Sequence, residues 1–319
     1  MRGSDNTMQS GRKHIHLIGI CGTAMASLAG MLQAEGHRVT GSDMAAYPPM
    51  SDQLAAMGIA VMEPYRAENL DEGPDLVVVG NAISRGNPEL ERVLDQRLAM
   101  TSMAGLIHDE FLVGRERLVV TGTHGKTTTT SMLAWIYETA ARMGGPQSSW
   151  KPSFLIGGVA ENFGTSFHVQ PGTRPFLLEG DEYDTAFFDK GPKFLHYFPD
   201  AAILTHVEFD HADIYPDFEA VKTSFKRLVN LLPRRGRLVA FDGSEAVTEC
   251  CAKAFCPVER YGFAASSTWR VTDFQQSGPL ATWRLLRNGE IFAHLELRMA
   301  GEHNALNATA AAALAAGQG

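Results

Sequence analysis

The sequence is poor in cysteine and has no long apolar run, and each shortage excludes a class of protein. Four of its 319 residues are cysteines, and the last three have no His or Cys partners at the spacing of a zinc site. No stretch approaches the roughly 18 apolar residues of a membrane span. The opening MRGSDNTMQSGRKH lacks the apolar segment of a secretory signal. These shortages predict a reduced, cytoplasmic protein that does not contact a membrane.

Basic residues are also in deficit. The chain has 28 Lys and Arg against 36 Asp and Glu, which gives a formal net charge of −8. This balance argues against a nucleic-acid binder that relies on phosphate contacts. The rest is 45% hydrophobic and 9% aromatic, the composition of an ordinary globular protein of about two domains.

Strand-like and helix-like segments alternate along the first third of the chain. Short apolar runs at 15–18, 37–40, 59–62 and 76–80 read as strands, and the patterns at 25–36, 54–58 and 88–98 read as helices. The alternation is typical of a doubly wound parallel sheet. We therefore predict an α/β fold with a Rossmann-like domain over residues 14–112, preceded by a disordered lead-in over 1–13.

A new strand at 118–121 begins a second α/β domain, which we predict over residues 113–319. Further strands are expected at 176–178, 202–204 and 237–240. Residues 268–275, 281–287 and 290–298 alternate apolar and polar side chains without a helix between them, which predicts a small antiparallel β appendage. The Ala-rich stretch 304–316 predicts a closing helix.

The strongest motif lies directly after the strand at 118–121 and opens a helix. Its small residues would let backbone N–H groups converge on phosphate oxygens, and the helix N-terminus adds positive potential. Val120 stands where the strict P-loop pattern has its first glycine, so the match is to a shorter loop; the alternative is a glycine-rich turn with a surface lysine. The motif predicts a P-loop-type ATP site made of Gly122, Thr123, His124, Gly125, Lys126, Thr127 and Thr128.

Two other predicted strands end in acidic and imidazole groups: EGDEYD occupies 179–184 and EFDHAD occupies 208–213. The carboxyl ends of strands in an α/β sheet face the ligand crevice, and Mg²⁺ is held there by one or two carboxylates and by phosphates. Glu179 is therefore the best candidate for a metal ligand. His211 could bind a metal or stabilise phosphoryl charge. The alternatives are a solvated acidic loop and a structural histidine.

Two weaker patterns remain. In GEHNALN at 301–307, Asn304 and Asn307 share one helix face, where an amide could pair with an adenine edge or simply cap the helix.

The turn at 19–25 follows a strand and opens a helix, which suits a diphosphate, and Asp43 at the next strand end suits a ribose hydroxyl. Cys21 and Ala24 replace glycines of the dinucleotide fingerprint, which argues against an NAD-dependent dehydrogenase; a plain tight turn is the alternative.

From His14 onward, the chain resembles the Mur ligases of cell-wall synthesis. The resemblance is carried by four motifs in the same order and spacing: GTHGKTTT, EGDEYD, EFDHAD and GEHNALN. The resemblance implies an enzyme that passes the γ-phosphoryl group of ATP to a muramate carboxylate, after which an amine attacks the acyl phosphate. Residues 47–51 and 80–88 are similar to the branch that joins UDP-N-acetylmuramate to L-Ala-γ-D-Glu-meso-diaminopimelate in murein recycling. The branch that uses L-alanine is the alternative.

The resemblance also implies ATP and Mg²⁺ as cofactors and gives roles to single residues. It makes Lys126, Glu179 and His211 catalytic, and Thr127, Glu179 and His211 metal ligands. Asn304 would contact adenine. UDP-N-acetylmuramate would lie against Gly19, Cys21, Gly22, Thr23, Met25, Asp43, Asn81 and Ala82.

Two features depart from the family pattern. Some relatives carry a carbamylated lysine at the second metal. No lysine after His211 matches it, so we expect no carbamylated lysine in this protein. The C-terminal domain of the family has no counterpart in these residues, so we expect binding of UDP-muramate, and weakly of ATP, without efficient ligation. A non-catalytic UDP-sugar-binding module therefore stays open, as do the oligomeric state and the identity of the murein peptide.

Overall fold

A computed structural model describes residues 11–209 and 215–317. The chain divides into two units. The first comprises the residues up to Leu106 together with Ala186–Phe188, and the second comprises Ile107–Thr185 and the residues from Asp189 onward. The division falls slightly before the expected boundary near residue 112. None of the helices in the described ranges combines the length and apolar character needed to cross a membrane.

The first unit is built on a five-stranded sheet of order β3-β2-β1-β4-β5, in which all neighbouring strands are parallel. Its strands are β1 (His14–Ile18), β2 (Arg38–Ser42), β3 (Val61–Met62), β4 (Leu76–Val79) and β5 (Met100–Ser102). Its helices are α1 (Thr23–Ala34), α2 (Met50–Ala56), α3 (Pro88–Gln96) and α4 (Met103–Ile107), the last of which runs into the second unit. The strand order reverses between β1 and β4, which opens a crevice at their carboxyl ends.

Local sequence explains these elements. Val77, Val78 and Val79 of β4 are fully buried, as expected for a β-branched strand covered on both faces. Helix α3 begins at Pro88, and the Asn87 side chain caps it by accepting hydrogen bonds from two backbone N–H groups of its first turn.

The second unit contains a ten-stranded sheet of order β17-β16-β15-β14-β13-β12-β6-β9-β7-β8 and, except for Ala186, a separate β10–β11 pair. The strands are β6 (Glu116–Thr121), β7 (Ser153–Ala160), β8 (Thr165–His168), β9 (Pro175–Gly180), β10 (Asp184–Ala186), β11 (Asp189–Pro192), β12 (Ala201–Leu204), β13 (Arg237–Phe241), β14 (Val258–Gly262), β15 (Trp269–Ser277), β16 (Leu280–Arg287) and β17 (Glu290–Leu297). The helices are α5 (Lys126–Met143), α6 (Phe218–Leu231), α7 (Glu245–Cys251) and α8 (Glu302–Ala316).

The centre of this sheet is parallel, and the predicted antiparallel strands are present at one edge as β15, β16 and β17. They extend the main sheet through the parallel β14–β15 pair and so are not a separate layer. Helix α8 contributes Ala305, Ala310 and Ala311 to the core against Val239 and Trp283. These small side chains let the helix lie close to its neighbours.

Candidate functional site

The register of three parallel strands brings the sequence motifs to one edge of the second unit. Thr121 at the end of β6 lies opposite Gly180 of β9 and Leu204 of β12. The glycine-rich loop, the acidic segment and the segment from Thr205 therefore leave the sheet side by side. The Thr205 hydroxyl donates to the carbonyl of His124 at 2.6 Å, which ties two of the three segments together.

The loop at 122–125 needs both of its glycines. Gly122 and Gly125 have φ values of 129° and 79°, which few other residues adopt. A Cβ atom at Gly122 would lie 2.1 Å from the Thr205 hydroxyl, and one at Gly125 would lie 2.7 Å from Oδ1 of Asn307. Helix α5 starts directly after Gly125 without a side-chain cap. Its first N–H groups are thus arranged as in an anion-binding helix terminus.

Lys126 folds back over this loop. Its Nζ donates to the carbonyl oxygen of Gly122 at 2.8 Å and to Oε1 of Glu182 at 3.0 Å. The Glu182 side chain is only 1% exposed, so the pair lies in a site largely shielded from water. Sequence reasoning had marked the acidic segment but did not select Glu182, because nothing in the pattern distinguishes it from its acidic neighbours.

Thr127 and Glu179 form a pair of oxygen donors beside the lysine. The Thr127 hydroxyl donates to Oε1 of Glu179 at 3.0 Å, and the Gly157 N–H donates to its Oε2 at 2.7 Å. Burial raises the pKa of the Glu179 carboxyl, against the lowering effects of the Gly157 N–H, the Thr127 hydroxyl and Lys126. A hydroxyl and a carboxylate next to a phosphate-type loop are the donors that Mg²⁺ prefers.

The described residues supply no larger metal cluster around this pair. Among them, no group of three or more His, Cys, Asp or Glu side chains could hold a metal ion. His211 lies outside the described residues, so its predicted role at a second metal stays a prediction. The donors fit an ion that is completed by phosphate oxygens and water, as is usual for Mg²⁺.

Helix α8 brings Asn307, and not Asn304, against the loop. Asn307 is 7% exposed and lies beside Gly125. The Asn304 amide instead donates to the carbonyl of Ala300 at 2.7 Å, a contact at the start of its own helix. The proposed adenine contact of Asn304 stays a prediction.

The first unit holds a cavity of about 310 Å³ beside the turn at 19–25. Apart from Thr23, which is exposed, every residue expected to contact UDP-N-acetylmuramate lines it. The predicted residues that do so are Gly19, Cys21, Gly22, Met25, Asp43, Asn81 and Ala82. The turn and the two strand ends thus enclose one space.

Asp43 organises this cavity through two contacts. Its Oδ2 accepts the Cys21 N–H at 2.9 Å, and its Oδ1 accepts the Tyr65 hydroxyl at 3.1 Å. Burial and the nearby Asp43 raise the pKa of Tyr65, and the same two causes raise the pKa of the Cys21 thiol to about 11. Both groups therefore stay protonated at neutral pH. Tyr65 was not selected from the sequence, since it lies in a loop without a recognisable motif.

Two family models match the chain. The model described as "Mur ligase family, catalytic domain" matches residues 14–110, and "Mur ligase middle domain" matches residues 120–315. The chain belongs to the Mur ligase family. The resemblance drawn from the four motifs is thereby confirmed, and so is the mixed α/β fold.

Two curated relatives of this chain share a name. The proteins from Haemophilus influenzae and Escherichia coli K12, both named UDP-N-acetylmuramate–L-alanyl-γ-D-glutamyl-meso-2,6-diaminoheptandioate ligase, are each 40% identical to it. The matches cover 95% and 94% of this chain but 64% and 63% of those relatives, so the chain spans less than two thirds of their length.

A solved structure supports the same relationship. The crystal structure of UDP-N-acetylmuramate:L-alanyl-γ-D-glutamyl-meso-diaminopimelate ligase from Neisseria meningitidis matches with a TM-score of 0.86 and 39% identity. The match covers 97% of this chain and 94% of that one. Both matched Mur ligase domains are thus part of the comparison.

Proposed function

We propose that this Mur ligase joins the muramate carboxylate of UDP-N-acetylmuramate to the amine of L-Ala-γ-D-Glu-meso-diaminopimelate, with ATP as the phosphoryl donor. The observation that carries the proposal is the contact between Thr127 and Glu179, directly after the loop that holds Lys126. The names of relatives at 40% identity support the choice of the tripeptide over L-alanine.

Each residue of the loop edge would have a separate task. Lys126 would exchange its contact with Glu182 for the β- and γ-phosphates of ATP. Thr127 and Glu179 would hold Mg²⁺ through oxygen atoms, and His211 would support a second ion. When bound, Mg²⁺ supplies positive charge that offsets the charge on the transferred phosphoryl group.

In this reaction, all the bonds that form and break belong to the substrates, and no protein side chain is bonded covalently to them. A muramate carboxylate oxygen attacks the γ-phosphorus and ADP leaves, which gives an acyl phosphate. The amine then attacks the acyl carbon, loses a proton, and phosphate departs. Phosphoryl transfer of this kind depends on position and charge neutralisation, which Lys126 and the backbone of its loop would provide.

In the first unit, the UDP part of the substrate would occupy the cavity around Asp43. Helix α1 begins after Gly22 without a side-chain cap, so its N–H groups could receive the diphosphate. Asn81 and Ala82 follow β4, the strand next to β1 at the point where the strand order reverses, and they line the same cavity. Because ATP is a cytoplasmic substrate, the proposal assigns the protein to the cytoplasm.

A phosphate-release assay tests the proposal. UDP-N-acetylmuramate, ATP and Mg²⁺ are supplied with either L-alanine or the tripeptide. Since the chain spans less than two thirds of its relatives' length, both this chain and the complete product of its gene are assayed. We expect tripeptide-dependent release from the complete gene product, and little or no release from this chain. Release with L-alanine alone would identify the other branch, and binding of UDP-N-acetylmuramate with no release from either protein would favour a non-catalytic module.

A further inference from the structure

A glutamate that the proposed mechanism does not use lies in the interior of the first unit. Glu89 occupies the first turn of α3, next to Pro88, and its side chain is fully buried. A carboxylate without hydrogen-bond partners is costly in such a place. The two carboxylate oxygens instead accept four hydrogen bonds from four different residues.

One oxygen, Oε2, holds two strands of the sheet. It accepts the His16 Nε2–H at 3.1 Å from β1 and the Ser42 hydroxyl at 2.6 Å from the end of β2. The Ser42 carbonyl in turn accepts the N–H groups of Gly19 and Ile20 at 2.9 and 3.0 Å. A single residue, Ser42, therefore connects the buried carboxylate to the turn at 19–25.

The other oxygen, Oε1, holds the loop that carries Tyr65. It accepts the Arg66 N–H at 3.3 Å and the Asn69 amide at 2.6 Å. The same amide nitrogen of Asn69 also donates to the carbonyl of Pro64 at 3.2 Å. Both chain neighbours of Tyr65 are thus held, one by the carboxylate itself and one through the amide.

The charge of Glu89 suits this task. Burial raises the pKa of the carboxyl, but the hydrogen bonds donated by its side-chain partners outweigh burial and hold the pKa below its ordinary value. The first turn of a helix also favours a negative charge. An ionised carboxylate only accepts hydrogen bonds, so all four donors can point to it at once. A glutamine in its place would turn an NH₂ group towards one pair of these donors.

The two oxygens lead to the two residues that organise the cavity of the first unit. Asp43 directly follows the serine bound by Oε2, and Tyr65 directly precedes the arginine whose N–H is bound by Oε1. The Tyr65 hydroxyl donates to Asp43 at 3.1 Å, whereas Glu89 does not line the cavity. We propose that Glu89 is a positioning residue for UDP-N-acetylmuramate, which fixes the turn at 19–25 and the contact between Asp43 and Tyr65 without touching the ligand. The positioning role rests on the proposed function, because the cavity is taken as the UDP-sugar site.

Calorimetric titration of Glu89→Gln with UDP-N-acetylmuramate and with ATP tests the role. We expect the dissociation constant of the UDP-sugar to rise about tenfold, while that of ATP stays within about twofold. Val93→Ala is the structural control, because Val93 is 1% exposed, lies one turn further along α3 and does not line the cavity. It should lower the unfolding temperature and leave the affinity for the UDP-sugar within about twofold.

A double substitution shows whether Glu89 acts through Tyr65. Tyr65→Phe alone should weaken binding of the UDP-sugar about tenfold. In Glu89→Gln, where the loop around Tyr65 is no longer held, the same substitution should weaken binding less than about threefold further, because coupled residues have non-additive effects. Independent effects would multiply to about 100-fold, and that result would contradict the positioning role.

A measurement without ligand separates the role of Glu89 from the proposed function. All four cysteines are described, and only Cys21 is partly exposed; its N–H donates to Asp43 at 2.9 Å. Alkylation of this thiol by iodoacetamide, followed by mass spectrometry, should be about tenfold faster in Glu89→Gln than in Val93→Ala, because the turn is no longer fixed. Ser42→Ala removes one donor and keeps the carboxylate, so it should also accelerate alkylation and decides the question if Glu89→Gln does not fold.

The outcomes distinguish the two proposals. Absence of UDP-N-acetylmuramate binding in the unsubstituted protein would overturn the proposed function, and the alkylation rates would still decide the role of Glu89. The positioning role is overturned if Glu89→Gln binds the UDP-sugar as Val93→Ala does, or if its Cys21 reacts no faster than that of Val93→Ala. Where Glu89→Gln does not fold, equal alkylation rates in Ser42→Ala and Val93→Ala overturn it.

Discussion

The hydroxyl of Thr127 lies 3.0 Å from the carboxylate of Glu179, and this contact joins the first turn of α5 to the end of β9. The two residues come from motifs far apart in the sequence, and the parallel register of β6 and β9 makes them neighbours. The hydrogen bond aligns two oxygen atoms that a divalent ion would share. The pair is therefore the most direct structural support for a metal-assisted phosphoryl transfer.

Glu179→Gln should remove Mg²⁺-dependent nucleotide binding while the fold is retained. The amide keeps the size of the side chain but loses the charge, so we expect Mg²⁺ affinity in the presence of ATP to fall about 100-fold. Titration of Mg²⁺ with a fluorescent ATP analogue measures the effect. Glu161→Gln, at an exposed position, is the matched control. Equal Mg²⁺ affinity in the two variants would remove Glu179 from the site.

The pH dependence of Mg²⁺ binding should report the raised pKa of Glu179. A raised pKa means that the carboxyl takes up a proton at a higher pH than an ordinary glutamate. Because the ion binds the ionised form, affinity should decline as the pH falls through that raised value, by about tenfold per unit below it. The same titration repeated with Glu179→Gln should lose this dependence, and a decline that persists in the variant would assign it to another group.

Gly125→Ala should impair nucleotide binding, whereas Gly172→Ala should not. Both glycines have positive φ, at 79° and 74°, so each substitution should destabilise the fold by about 1 kcal/mol. Only at Gly125 would the new Cβ meet a side chain, Oδ1 of Asn307, and disturb the loop. Urea unfolding and ATP binding measured on both variants separate the two effects. Normal ATP affinity in Gly125→Ala would contradict a tightly fitted loop.

Tyr65→Phe should weaken binding of UDP-N-acetylmuramate without changing ATP affinity. The substitution removes the hydroxyl that donates to Asp43, and with it one support of the turn around Cys21. Loss of this hydrogen bond to a carboxylate should weaken binding of the UDP-sugar, and we expect its dissociation constant to rise about tenfold. Calorimetry with both nucleotides on one preparation provides its own control. An unchanged UDP-sugar affinity would mean that Asp43 does not need this partner.

Much of the fold could be predicted from the sequence because its strands are short, apolar and separated by helices or turns. The strands β6, β9 and β12 were expected, and their carboxyl ends carry the motifs. Strand β7 was not expected, since Gly157 and Gly158 interrupt its apolar pattern. Yet the N–H of Gly157 holds the Glu179 carboxylate, so part of the site depended on a strand that the pattern hides.

The supporting residues were harder to find than the motif residues. These residues act through contacts between distant segments. The contacts join Glu182 to Lys126, Asn307 to Gly125 and Tyr65 to Asp43. A sequence pattern specifies what a strand end or helix start carries. It does not specify which side chain from another element lies against it, because that depends on sheet register and packing.

The central claim is that a triphosphate binds at the loop around Lys126 and that a UDP-sugar binds separately in the first unit. Calorimetric titration of Lys126→Ala with ATP and with UDP-N-acetylmuramate tests it most directly. Loss of the charged contacts should weaken ATP binding about 100-fold, while affinity for the UDP-sugar stays within about twofold of the unsubstituted protein. Unchanged ATP affinity, or an equal loss of both ligands, would contradict the account.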